Sequence, residues 1–290
     1  MIASRDALKN CFHRDVTFAW NDQITHREQK DMTQRTNNPL LGQATGDRIG
    51  GPIRMALILG NSIADTAGLD TADLTKRYLA WYRTDAFDTG PVWSAVFDQI
   101  SSGVDAEEAA KSVDHLLGGM TAGANTAHRA TAIGCASVIP DALVAAEARK
   151  EARLTHWHTD AGEASAATAL IIRGMLRGAT LPAAIASAAA ATSGQVSALL
   201  SQQTIDSNYL SNGGYAPKTL EAALYFTQTS TSFTDAIRRS IHFAGAANYC
   251  PVLVGAFAAL HFGVTVVPGY PVESVLLEPV ATTFERLWKA

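Results

Sequence analysis

"SNGGYAPKTLEAAL", residues 211–224, sets a glycine pair and a tyrosine directly before a run whose apolar residues recur at three and four, the spacing of one helical face. Glycine beside polar groups at a helix boundary leaves backbone N–H groups free to meet an anion or a ligand hydroxyl. Four other segments have this character: LLGQATGDRIGGPIR (40–54), RTDAFDTGPVWSA (83–95), TAGANTAHRATAIG (121–134) and LTHWHTD (154–160). A single such segment reads equally well as a helix cap. Five in one chain make a candidate binding site.

Working outward, the same helical period fills the chain. TADLTKRYLAWY (71–82) puts Leu74, Tyr78 and Trp81 on one face, with Asp73 near the start. DAEEAAKSVDHLLGG (105–119) begins acidic and ends in a glycine pair, the signals of a helix start and stop. Helical runs are also expected over 140–156, 161–178, 181–200 and 218–245, with Pro140 and Pro182 near helix starts. Strand-like alternation is confined to VTVVPGYPV (264–272), where Pro268 and Pro271 argue against a central strand. The expectation is an all-α globule of many short helices. Residues 1–38 are expected to form a helical extension, followed by one domain over 39–290.

Composition bounds the partners. With 290 residues, 47% hydrophobic and 17% charged, the chain can bury a large core. A net charge of −4 gives no electrostatic reason to expect nucleic acid or an anionic membrane. No stretch has the apolar length of a membrane span, about 20 residues. Charges near the N-terminus stand where a secretory signal needs apolar residues, so a cytoplasmic protein is expected. Cys11, Cys135 and Cys250 are isolated thiols without metal-site spacing.

In order and spacing the five segments resemble the ADP-ribosylglycohydrolase family. Gly42, Gly46, Asp47, Gly50 and Pro52 match its opening segment. Gly123, Arg129 and Gly134 partly match its middle turn, and Thr155-His156 its Thr/Ser-His pair. Gly213, Gly214, Tyr215 and Thr219 to Leu224 follow its late G-G-Y-x-x-x-T-L-E-A-A-L segment, and GAFAALHFG its final helix. The resemblance implies a compact orthogonal all-α fold and hydrolysis of an N-glycosidic bond in an ADP-ribosyl or related ribosyl-nucleotide substrate. It also implies a dinuclear magnesium site, and here the chain departs. The late G-G-D-T-D-T motif falls on Ala244 to Tyr249, so its two aspartates become Ala246 and Asn248. The early T-D-D-T motif has no counterpart, and the glutamate ending the opening segment becomes Arg54. No family-type magnesium site is therefore expected.

Carboxylates can cleave such a bond without a metal. Asp47 and Asp88 are the candidates, with a helix cap and a turn residue as their respective alternatives. Arg54 and Arg129 suit ligand phosphates or intraprotein ion pairs. His156 is expected to hydrogen-bond the ligand. His156 and His158 together have too few partners for a usual metal site. Gly213, Gly214 and Tyr215 are expected to contact a ribose or stack a base, with Asn125, Asn248 and Tyr249 completing the candidate set. The alternative is a catalytically inactive protein that binds an ADP-ribose-like ligand or a protein partner.

Overall fold

A computed structural model describes residues 37–289. The proposed helical extension over 1–38 lies almost wholly outside them. The described residues are all-α, with no strand among them and a single isolated bridge between Gly123 and Tyr215. Among the described residues no helix is long and apolar enough to cross a membrane.

The centre is the helix Cys250–Phe262, in which every residue from Cys250 to Ala259 is buried. A helix apolar all round has no solvent face to offer, so it must be surrounded. Pro39–Gly46, Ala216–Thr229, Phe233–Ala244 and Thr159–Leu176 pack around it. Its crossing with Pro39–Gly46 is backbone on backbone. A Cβ at Gly42 would lie 2.1 Å from the Gly255 carbonyl oxygen, so this crossing admits no side chain. Two of the motif glycines, Gly42 and Gly46, thus serve helix packing.

Other boundaries follow local chemistry. Thr71–Thr84 starts at Asp70, whose carboxylate accepts from the N–H groups of Ala72 and Asp73. Leu74 and Tyr78 are fully buried, as their spacing predicts, while Trp81 is partly buried. Asp73 instead takes the Ser62 hydroxyl and the Arg77 guanidinium. Two of the expected runs are each broken in two. Residues 181–200 divide into Leu181–Ala191 and Gly194–Leu200, and residues 218–245 into Ala216–Thr229 and Phe233–Ala244. At each break a Ser or Thr pair offers the backbone side-chain hydrogen bonds that compete with the helix. Ser232, for instance, caps Phe233–Ala244 by accepting from Asp235 N–H.

Candidate functional site

Asp47 follows the helix Pro39–Gly46 and turns back onto the next helix, Gly51–Thr66. Its Oδ1 accepts from Gly50 N–H at 2.8 Å and its Oδ2 from Ile53 N–H at 2.7 Å. The carboxylate thus caps the first turn of a helix whose own N-cap is a glycine. Burial pushes the Asp47 carboxyl above the ordinary carboxylate range, against the lowering effect of these hydrogen bonds.

Asp88 stands opposite on the loop before the helix Pro91–Ser101, with φ of 51°, an uncommon conformation for a residue other than glycine. Gly51 makes that conformation possible, since a Cβ there would fall 2.7 Å from both the Asp88 Cβ and the Asp88 carbonyl oxygen. Asn125 holds the same loop by donating from Nδ2 to the Thr89 carbonyl at 2.9 Å. Asp88 is exposed to solvent, yet partial burial and the neighbouring Asp47 charge raise its carboxyl too.

Asn248 joins the two acids. Its Nδ2 donates to Asp47 Oδ1 at 2.7 Å and to Asp88 Oδ2 at 3.3 Å. The side chain is buried, and its Oδ1 has no partner. The turn carrying Asn248 is itself pinned. Arg48 Nη2 donates to the Ala247 carbonyl at 2.6 Å, and buried His128 donates from Nε2 to the Tyr249 carbonyl at 3.0 Å. Burial drives the His128 pKa down to about 4, so the ring is neutral at pH 7.

The Gly-Gly-Tyr turn lies against Tyr249. A Cβ at Gly214 would sit 2.8 Å from Tyr249 Cζ, so the glycine admits the ring. Gly214 carbonyl accepts from Ala124 N–H and Ala216 N–H donates to the Ala122 carbonyl, both at 2.8 Å, tying this turn to the 121–124 segment. Gly213 carbonyl accepts from the Thr219 hydroxyl at 3.2 Å. Tyr215 donates its hydroxyl to Asp160, and burial with this bond raises its pKa to about 12. Tyr249, 39% exposed, is the more open ring of the two.

The two arginines are taken up within the protein. Arg54 pairs with Glu273 at 2.9 Å and lies over the Phe87 ring. Arg129 is fully buried, which leaves it no surface for a ligand phosphate. Its Nε donates to Glu151 at 2.6 Å, Nη1 to Asn125 Oδ1 at 2.5 Å and Nη2 to Thr155 Oγ1 at 2.7 Å. Thr155 accepts from Arg129 and shares a further hydrogen bond with His156 Nδ1, 2.8 Å away. Burial, and next the Arg129 charge, hold the His156 pKa well below its ordinary value. The ring is therefore neutral, and its Nε2 faces Gly123. His158 accepts from Asp160 N–H and caps the following helix.

Arg48, His128, Glu151 and Asp160 went unread in the sequence. Arg48 neighbours Asp47, and His128 and Arg129 are adjacent letters in the middle segment. No local pattern marks Glu151, 22 residues from Arg129.

One buried and one exposed carboxylate, a neutral histidine and helix ends meeting a Gly-Gly-Tyr turn define an all-α protein with a polar site assembled from distant segments. A solved structure, an ADP-ribosylglycohydrolase-related protein complex, shares this fold with a TM-score of 0.71 and 23% identity, over 89% of this chain and 98% of that one. The sequence model of the ADP-ribosylglycohydrolase family matches residues 52–289, and the chain belongs to that family. A search of curated proteins found no match.

The residues present do not fit the dinuclear magnesium site that the family resemblance implies. Hard cations need several oxygen ligands. Ala246 provides none, Asp47 spends both oxygens on N–H donors, and an amide N–H group stands between the two acids. Among the described residues no group of three or more His, Cys, Asp or Glu side chains is placed to hold a metal ion.

Proposed function

We propose that this protein hydrolyses the N-glycosidic bond of an ADP-ribosyl or related ribosyl-nucleotide or nucleoside substrate, using Asp88 in place of the family's metals. The observation that carries this reading is the solvent-facing Asp88 carboxylate, held at positive φ and hydrogen-bonded to the buried Asp47–Asn248 pair. A residue other than glycine holds such a conformation where the surrounding structure fixes it.

In the proposed reaction, Asp88 accepts a proton from water as its oxygen bonds to the anomeric carbon and the bond from that carbon to nitrogen breaks. The negative charge of Asp47 favours the oxocarbenium-like centre as Asp88 takes up the proton of water. The electron pair of the broken bond leaves with the nitrogen. A cationic ring nitrogen departs neutral, and an amine or a neutral nucleoside base takes up a proton from solvent. Asp47 acts through Asn248 and the loop, as a positioning group. His156 is buried and acts through Thr155 and Arg129, as a positioning group. Tyr249 offers a ring face to a base.

The test is release of base or amine from NAD, ADP-ribosyl-arginine and simple ribonucleosides, with and without chelator. Chelator-resistant turnover, lost in Asp88→Asn, is expected. Turnover abolished by chelator and restored by magnesium refutes the metal-free route. Calorimetric binding without turnover of any of these compounds supports the inactive ligand-binding alternative.

A further inference from the structure

We infer that the Asn248 side-chain amide serves as a neutral cross-link in the place of a bridging cation, holding Asp47 and Asp88 together and excluding divalent ions from between them. The inference deepens the metal-free reading of the site.

Two carboxylates this close repel unless something positive or proton-rich lies between them. An amide nitrogen carries two protons and no acceptor, so one NH2 group can serve one acid with each proton. Asn248 Nδ2 lies within hydrogen-bonding reach of Asp47 Oδ1 at 2.7 Å and of Asp88 Oδ2 at 3.3 Å. The orientation of the amide follows from its neighbours. Turned over, it would aim its carbonyl oxygen at both carboxylates.

The cost of the chosen orientation is visible in the structure. Asn248 is 7% exposed, and its Oδ1 is buried without a partner. An unpaired buried acceptor is unfavourable, and here it is the remainder of a side chain whose donor end is fully used. Gly50 N–H and the amide together fill Asp47 Oδ1, and Ile53 N–H holds Oδ2, so it is the amide that occupies the face of Oδ1 turned towards Asp88. Of the basic groups on the flanking segments, Arg48 is directed to the Ala247 carbonyl and Arg54 pairs with Glu273. The cross-link is therefore a hydrogen-bonding group and adds no charge of its own.

The inference singles out one atom. Exchanging the amide nitrogen for oxygen, in Asn248→Asp, places three carboxylates where two and a donor now stand, the oxygen-rich ligand set that a hard cation takes. The experiment is calorimetric titration of MnCl2 into the chelator-treated full-length protein and into Asn248→Asp, with melting temperatures taken alongside. The wild type is expected to show no saturable binding and no shift at millimolar Mn2+. The variant is expected to gain a saturable site and a Mn2+-dependent rise in melting temperature. Stoichiometric Mn2+ binding by the wild type, or a folded variant that gains no site, overturns the inference.

A second measurement stands if the variant does not fold. In the wild type, the Asn248 side-chain NH2 resonances, assigned by their loss in Asn248→Ala, should exchange with solvent at least about tenfold more slowly than those of exposed asparagines. Exchange at the exposed rate overturns the inference. Neither readout depends on turnover, so a protein inactive on every ribosyl substrate would refute the proposed reaction and leave the cross-link untouched.

Discussion

His128 should make this protein acid-sensitive in a way one substitution removes. Its ring is buried and donates to the Tyr249 carbonyl, and burial lowers its pKa from 6.5 to about 4. In the unfolded chain the same ring titrates at about 6.5. Between these values the unfolded state binds a proton that the folded state does not, so stability falls as pH falls. The contribution is present in full above about pH 6.5 and is lost towards about pH 4, below which both states are protonated and nothing more is lost. A shift of this size corresponds to about 3 kcal/mol. Glutamine places an N–H donor at a similar reach and does not titrate. Urea unfolding of the wild type and His128→Gln from about pH 7 to about pH 4 isolates the histidine, because carboxylates and His156 are common to both proteins. The wild type should lose about 3 kcal/mol more than the variant across that range. Parallel curves would refute the burial argument, and with it the account of how the Tyr249 carbonyl is held.

Arg129→Met should destabilise the protein by about 3–5 kcal/mol, because it leaves Glu151 charged and buried, and Arg129→Met with Glu151→Leu should recover much of that loss in urea unfolding. Gly51→Ala should cost about 1–3 kcal/mol by forcing a Cβ into the Asp88 backbone. It should also reduce turnover by displacing Asp88, and unchanged turnover would show that the conformation of Asp88 is unimportant. Tyr249→Ala should weaken binding of a nucleoside with an aromatic base by about 1 kcal/mol, the scale of a lost ring contact. Tyr215→Phe should leave that affinity unchanged while lowering stability by about 1 kcal/mol through the lost Asp160 hydrogen bond.

Much of the fold could be read along the chain because helices are local. Three-and-four spacing, acidic starts and glycine stops report on neighbours within a turn or two, and the stretches 71–82 and 105–119 that they mark fall on Thr71–Thr84 and Ala106–Leu116. The Ala-rich runs were harder. Alanine marks helix without marking where it ends, and side-chain hydrogen bonds of Ser and Thr decided the breaks at 192–193 and 230–232.

The site divides along the same line. Motif letters brought Asp47, Asp88, Asn125, His156, the Gly-Gly-Tyr turn, Asn248 and Tyr249 into one candidate set, and the exchange of aspartate for Ala246 and Asn248 is a fact of composition at one turn. Whether a charged group meets solvent depends on what packs over it. Arg129 and Arg54 look alike as letters, yet one is wholly enclosed by Glu151, Asn125 and Thr155 and the other lies at the surface with Glu273. The pairing of Asn248 with Asp47 spans 201 residues and that with Asp88 spans 160. Such contacts leave no periodic trace, because the geometry that creates them comes from helices crossing at Gly42 and Gly255 and from the Asp88 loop packing on Gly51, the first residue of its helix. Residue types were legible one by one; their joining into a single acid–amide–acid group belongs to the packing of the chain.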